Sequence, residues 1–447
     1  MERGRKIQVL GIFVGTFANS LVFTIIFPFA SKLVMDFGMS NNRTTTGYWV
    51  GIITFSLMLG RTIASPVFGV LCDSWGRRPV QIIGLSSITV FSLMFGFSTN
   101  YWYAVTVRFV LGFFTPLSIV NKTLLMELVP EDQNSSVMAW FSMFWQFGNI
   151  MGNVLGGILV DPKSSGLIES GVFADYPYLL PNFVASMIGL VALLISFFLL
   201  EETLHTNEDQ NKKESESSLW SIATDGTVSM ILGIYILVSV NSTGFQEVIS
   251  LWSWAKKENG GFEFSTERIG TVLGIGSFLL LFVQKKFHSY LVSKLGMLKL
   301  TNFSSGLMIP IFVVIPLGSF FRYSETLSWV AMMISTVGFL LVNFFVMTGI
   351  IVLSNNAVVR KERGRLNGIF MTAGSLARAV SPLVFGNVFA LTAESDWVYP
   401  FNFAFSFYLM AFFALCLWRL SLLLPFSITH KKETLLEHSS ELTSYKV

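Results

Sequence analysis

Long apolar runs, broken by short polar gaps, make up most of this chain. A helix needs about 20 apolar residues to cross the hydrocarbon core of a bilayer. On that ruler the pattern predicts twelve spanning helices, at 7–37, 46–71, 80–98, 102–126, 136–160, 178–200, 227–254, 268–287, 297–316, 326–354, 365–391 and 399–425. Between the sixth and the seventh lies "EETLHTNEDQNKKESESSLW" (201–220), polar and without apolar periodicity. Such a segment buries too little to pack and reads as a mobile linker. Residues 431–447 read as a polar tail. The predicted fold is an all-α membrane protein of twelve transmembrane helices in two six-helix bundles. Its parts are bundle 1–200, linker 201–226, bundle 227–430 and tail 431–447.

Composition agrees. Of 447 residues, 52% are hydrophobic and 13% charged, against about 25% charged in a soluble domain. The net charge of +3 comes from cations scattered among apolar spans, which predicts no nucleic-acid partner. Cys72 and Cys416 offer no C-x-x-C site and no expected disulfide. The apolar run after Lys6 is too long for a signal peptide and reads as the first membrane helix. Lys and Arg crowd one set of loops, with the pairs Arg77–Arg78, Lys285–Lys286 and Arg360–Lys361. The positive-inside rule then puts both termini and the linker in the cytosol. The opposite face carries Asn42-Arg43-Thr44, a glycosylation sequon.

The gap after the second span reads "GVLCDSWGRRPV" (69–80). Gly69 would let a neighbouring helix come close, Gly76 would permit a tight turn, and Pro79 suits the start of a helix. Asp73, Arg77 and Arg78 can form charge-assisted bonds across the cytosolic face. Such bonds would hold the two halves shut on that side and break when the protein changes state. Glu127 is the expected partner of the Arg pair. The matching gap of the second half reads "LVSKLGMLK" (291–299), where Gly296 occupies the place of Gly76. Two parallel halves related by an axis along the membrane normal would give this trace.

Gly69, Asp73, Gly76, Arg77, Arg78 and Pro79 reproduce G-x-x-x-D-x-x-G-R-[RK]-P. In this the chain resembles the major facilitator superfamily, whose members carry that loop between helices 2 and 3. "FTIIFPFASKLVMDFG" (23–38), "RFVLGF" (108–113), "EETLH" (201–205), "EVISLWSWAKKENGGFEFSTERIGTVLGI" (247–275) and "LSNNAVVRKERGRLNGIFMTAGSLARAVSP" (353–382) are similar to the zinc-induced facilitator-like branch, near the drug:proton antiporters. The resemblance implies the major facilitator fold and secondary transport. It also implies a part for Arg108, which with Gly112 matches the R-x-x-x-G motif of helix 4, in proton coupling or substrate binding. Two departures stand out. The C-P-G-C motif of plant members is missing. The helix 5 antiporter signature reads Gly148-x-x-x-Gly152-Asn153-x-x-Gly156-Gly157, with Asn in place of Pro. Small residues at that spacing also serve close helix packing.

An ionisable group deep in a span is costly, so its default reading is functional. Arg61, Arg108, Lys122, Glu247 and Arg378 are such groups. Arg61 is expected to join the Asp73 network. Arg108 and Lys122 fall roughly 40° apart on one continuous helix, about 21 Å along its axis. They are expected to share a face that lines a water-filled path or meets acids on another helix. Glu247 is the one carboxylate well inside a span. It is expected in the outer half of the membrane near Arg108, as the proton-coupling residue. The excess of cations favours small organic anions or zwitterions. Asn19, Asn121, Gln146, Asn355 and Asn356 are uncharged binding candidates, each with a helix-packing alternative. His205, His288, His430 and His438 are read in loops, linker or tail without ligand spacing, so no metal site is expected. If metals matter, an organic chelator is the expected cargo, as the resemblance to plant members also implies.

These readings give a secondary transporter, expected to be proton-coupled and monomeric, with no cofactor. Its partners would be a small-molecule substrate, protons and the lipid bilayer. It would reside in a vacuolar, lysosomal or plasma membrane. No G-x-x-x-x-G-K-[ST] loop for ATP is present, and no catalytic cluster points to an enzyme. A transport-inactive receptor or scaffold of the same fold stays open, as does facilitated diffusion.

Overall fold

The computed structural model describes residues 3–115, 117–129, 133–203, 224–359, 363–395 and 397–429. Most of the linker, the tail, the Arg360–Lys361 pair, three of the histidines and the side chain of Asp73 lie outside what is described. Every regular element among the described residues is helical. The first half comprises α1 (Arg3–Thr24), α2 (Ala30–Asp36), α3 (Thr46–Trp75), α4 (Arg77–Gly96), α5 (Tyr101–Phe113), α6 (Leu117–Leu128), α7 (Asn134–Ile158), the one-turn α8 (Val172–Asp175) and α9 (Leu179–Leu199). The second comprises α10 (Gly226–Trp254), α11 (Thr266–Leu295), α12 (Met297–Val314), α13 (Glu325–Ala357), α14 (Arg363–Glu394) and α15 (Phe405–Leu422). Each apolar stretch of the sequence coincides with one or two of these helices. Among the described residues, nine helical segments are long and apolar enough to cross a membrane.

Two expected helices are broken, each at a proline. α1 stops at Thr24 and α2 starts at Ala30, with Pro28 in the turn between them. α5 stops at Phe113, and Thr115 precedes Pro116. Proline cannot donate an N–H and pushes the residue before it out of the helical region. The continuous helix assumed for 102–126 is therefore two pieces. The 100° per residue argument placing Arg108 and Lys122 on one face does not hold.

The gap at 69–80 is mostly helix. α3 runs through Trp75, and only Gly76, at φ 106°, turns the chain into α4. Cys72 is thus a buried helical residue. The second half repeats the design: α11 and α12 are joined by Gly296 alone, at φ 77°. Hydropathy marks the bilayer edge, and a helix can protrude past it. His288, expected in a loop, sits in α11 for this reason, its ring 5.9 Å from Phe345.

The halves meet along two seams of small residues. α3 packs on α14, where a Cβ on Gly47 would lie 2.5 Å from the Gly386 carbonyl and one on Gly51 2.7 Å from the Pro382 carbonyl. α7 packs on α11, where a Cβ on Gly157 would lie 2.8 Å from the Gly270 Cα. Both seams occupy the helix ends remote from the N-terminus and from residues 201–203; this is the far face, opposite the terminal face. Polar contacts fasten it. Asn259 Nδ2 donates to Thr44 Oγ1 (3.1 Å) in the first half and to the Ala393 carbonyl (2.9 Å). The Arg43 guanidinium lies 4.4 Å from the Trp254 ring.

Candidate functional site

A cavity of about 410 Å³ lies between the halves. On every element that lines it, the lining residues stand on the terminal side of the seams. On α3 they are Met58 to Ser65, beyond Gly47 and Gly51; on α14 they are Met371 to Arg378, before Pro382. The cavity is sealed toward the far face. Gly69 has nothing within 4 Å of a Cβ position. Among the described residues the close helix approach expected there is not seen.

Arg61, Lys122 and Arg378 line the cavity, and among the described residues no carboxylate does. Arg61 donates to Asn19 Oδ1 (2.6 Å), and its guanidinium lies 5.9 Å from the Phe23 ring. It lines the cavity; the Asp73 network expected for it lies outside the described side chains. Lys122 Nζ sits 5.6 Å from the Phe141 ring. Arg378 approaches Ser239 Oγ (3.5 Å) and is within electrostatic reach of Tyr235. Gln146 also lines the cavity and accepts from Asn149 Nδ2 (3.2 Å).

Arg108 and Glu247 sit elsewhere. Arg108 is 2% exposed, its guanidinium 5.4 Å from the Phe95 ring. Glu247 is fully buried one residue past the cavity-lining Gln246, and accepts from Thr54 Oγ1 (3.3 Å). Arg108 Nε and Glu247 Oε1 have no hydrogen-bond partner. The two charges feel each other without an ion pair within 4.0 Å. They occupy the sealed layer between cavity and far face. A role for Arg108 in direct substrate contact is not what this geometry offers. Gly112, four residues on, would drive a Cβ into the Leu57 carbonyl, so it serves the close packing of α5 on α3.

The remaining candidates do not line this cavity. Asn121 is fully buried and donates to Thr16 Oγ1 (2.9 Å) on α1, away from the cavity. Asn355 accepts from Asn367 Nδ2 (3.5 Å), and Asn356 donates to the Ile428 carbonyl (3.1 Å). Gly148, Gly152 and Gly156 press α7 against the backbone of α1, while Gly157 faces α11. At the terminal face, Arg77 Nε pairs with Glu127 (3.1 Å) and its Nη1 donates to the Cys72 carbonyl (3.1 Å). Arg78 donates to the Phe197 carbonyl (2.8 Å). Glu202 caps α4 by accepting from the backbone N–H groups of Arg77 (2.9 Å) and Arg78 (3.1 Å). A Cβ on Gly76 would collide with that carboxylate. These bonds join elements of the first half.

Sequence reasoning missed Tyr235, Trp145, Asn149, Gln246 and Asn343 as cavity residues. The three amides were legible as polar residues inside apolar runs. The aromatic ones gave no signal among so many Phe and Trp.

The comparisons with known proteins agree with this geometry. The sequence model of the Major Facilitator Superfamily matches residues 12–382. The chain belongs to that superfamily. It is a multi-pass membrane transporter rather than an enzyme. It is similar to Protein ZINC INDUCED FACILITATOR-LIKE 1 of Arabidopsis thaliana, 29% identical over 404 residues, covering 86% of this chain and 84% of the relative. Its fold matches the solved D-xylose-proton symporter at TM-score 0.73 and 15% identity, covering 95% and 98% of the two chains. It also matches the human organic anion transporter MFSD10 (TETRAN) at TM-score 0.65 and 17% identity, covering 94% and 100%.

Proposed function

We propose that this superfamily member moves a small organic anion, coupled to protons, by alternating access. One observation carries the reading: Arg61, Lys122 and Arg378 converge on the cavity with no described carboxylate to neutralise them. Buried cations without counter-charges are costly. An anionic substrate supplies what the wall lacks. A bare metal cation is disfavoured by the same charges. Rocking of 1–200 against 227–430 would expose the cavity to each side in turn. The loop charges support cytosolic termini, which makes the present state open to the cytosol. Glu247 beside Arg108 is the coupling site, and a vacuolar, lysosomal or plasma membrane is the expected home of a working monomer.

The test is binding by purified protein of an organic anion and a neutral analogue of equal size. Each charge-assisted hydrogen bond contributes about 1.5–3 kcal/mol. Lys122→Gln or Arg378→Gln should thus weaken the anion roughly ten- to hundredfold and leave the neutral analogue nearly unchanged. Equal losses for both compounds would remove the anion reading.

A further inference from the structure

The cavity has two unlike walls. α3, α6 and α14 supply Arg61, Lys122 and Arg378. Their charges act on one another, Arg378 being within electrostatic reach of both Arg61 and Lys122. The other wall belongs to α7 and α13, joined through α11, which packs on both. Beyond Phe141, where Lys122 stands 5.6 Å from the ring, it presents Gln146, Asn149 and Asn343 with the rings of Trp145 and Phe344, and no ionisable group of its own. The uncharged wall is internally bonded: Asn149 joins Gln146 (3.2 Å) and Ser20 Oγ (2.8 Å), and Asn343 reaches Ser242 Oγ (3.4 Å). These bonds hold the amides in fixed positions while leaving part of their donor and acceptor capacity unused.

We propose that the substrate is a polarised organic anion, its acidic groups together at one end and its other end uncharged, flat and hydrogen-bonding. The acidic end lies against α3, α6 and α14, and the neutral end between Trp145 and Phe344 with the amides of α7 and α13. Resting on the anion reading above, this adds a direction and a class. Arg378 is in reach of the charges of both Arg61 and Lys122, and a cluster of cations around one cavity is best relieved by clustered negative charge. A molecule with acids at opposite ends would press one carboxylate into a wall that has no cation. A tail bearing an ammonium group would meet no carboxylate there. Rings and amides are the surfaces that recognise an aromatic amide. The volume of about 410 Å³ suits a molecule of this size.

Three probes separate the outcomes by calorimetry on the purified full chain. N-benzoylaspartate carries two carboxylates at one end and an aromatic amide at the other. Suberate carries two carboxylates at opposite ends. N-(4-aminomethylbenzoyl)aspartate adds an ammonium to the tail. N-benzoylaspartate is expected to bind at least tenfold more tightly than either of the others. The double variant Gln146→Leu with Asn343→Leu should shrink that preference to about threefold or less without weakening suberate. Retained suberate binding shows that the double variant folds, and Arg378→Gln should weaken both dicarboxylates while keeping the thermal unfolding of the native protein, as the anion reading requires. Equal binding of suberate and N-benzoylaspartate, or a preference the double variant does not change, overturns the proposed direction alone. Tightest binding of the ammonium-tailed probe overturns the neutral tail. Loss of all anion binding in the unmutated protein overturns this proposal together with the anion reading.

Discussion

Asp161 holds the turn after α7 in a left-handed conformation, φ 52°, which aspartate tolerates better than most residues. Burial pushes its carboxyl up, but the bonds from Lys32 Nζ (3.0 Å) and from Ser164 outweigh burial and hold it below the usual carboxylate range. A depressed carboxyl contributes stability that is complete above its unfolded value, about 4, and is lost as pH falls through the folded one. Thermal unfolding of purified Asp161→Asn should show a deficit at pH 7 that closes as pH drops below about 4. A gap that stays constant with pH would contradict the linkage. Side chains elsewhere differed in how much the sequence disclosed. Arg61, Lys122 and Arg378 were legible because a charge inside an apolar run is rare and costly. Asn121 looked the same as Gln146 in sequence, yet one binds α1 and the other faces the cavity. An uncharged amide satisfies its needs in either direction, so only packing decides.

The helices themselves were legible from hydropathy; their breaks fall at Pro28 and Pro116, which the sequence did not set apart from Pro66, Pro310 and Pro382 inside unbroken helices. What hydropathy could not disclose is which neighbour each helix meets. α7 shows why. Its glycines at 148, 152 and 156 serve α1 within one half, while Gly157 serves α11 in the other. Adjacent glycines on one helix therefore have different duties: three build a bundle and one closes a gate. Gly157→Leu should leave the fold intact and prise the far face open, whereas Gly148→Leu should destabilise the first bundle outright. Asn259→Ala should act in the same direction as Gly157→Leu, since its amide bonds Thr44 across the seam while held by the Ala393 carbonyl on its own side. Only the bond to Thr44 crosses the halves, and one hydrogen bond of about 1 kcal/mol corresponds to roughly a fivefold shift between states. Spin labels on the exposed residues Asn41 and Glu258 would report it as a longer distance in both variants. Unchanged distances would mean that the seam is not what keeps the far face shut.

For the whole molecule, the order of layers matters: cavity on the terminal side, then the buried Arg108 and Glu247, then the glycine seams and the Asn259 fastening. Glu247 lies where the seal must part when the far face opens, and it bonds across the halves, α10 to Thr54 on α3. Its protonation state and the seal are therefore physically linked. A charged carboxylate with an orphaned oxygen is costly in a sealed interior. Opening the far face would admit water to it. Arg378 and Arg61 connect the anion site to the same helices, α14 and α3, that form one seam. Anion binding and proton binding would thus act on one moving boundary. Glu247→Gln keeps the volume and the bond from Thr54 but cannot release a proton. In proteoliposomes it should retain exchange of substrate across the membrane while losing accumulation driven by a proton gradient, and its rate should no longer vary with pH. Should the variant accumulate substrate as the native protein does, with the same pH dependence, coupling runs through another group. Should the native protein itself ignore the gradient, the cycle is facilitated diffusion, and Arg108 and Glu247 serve only to hold the sealed layer together.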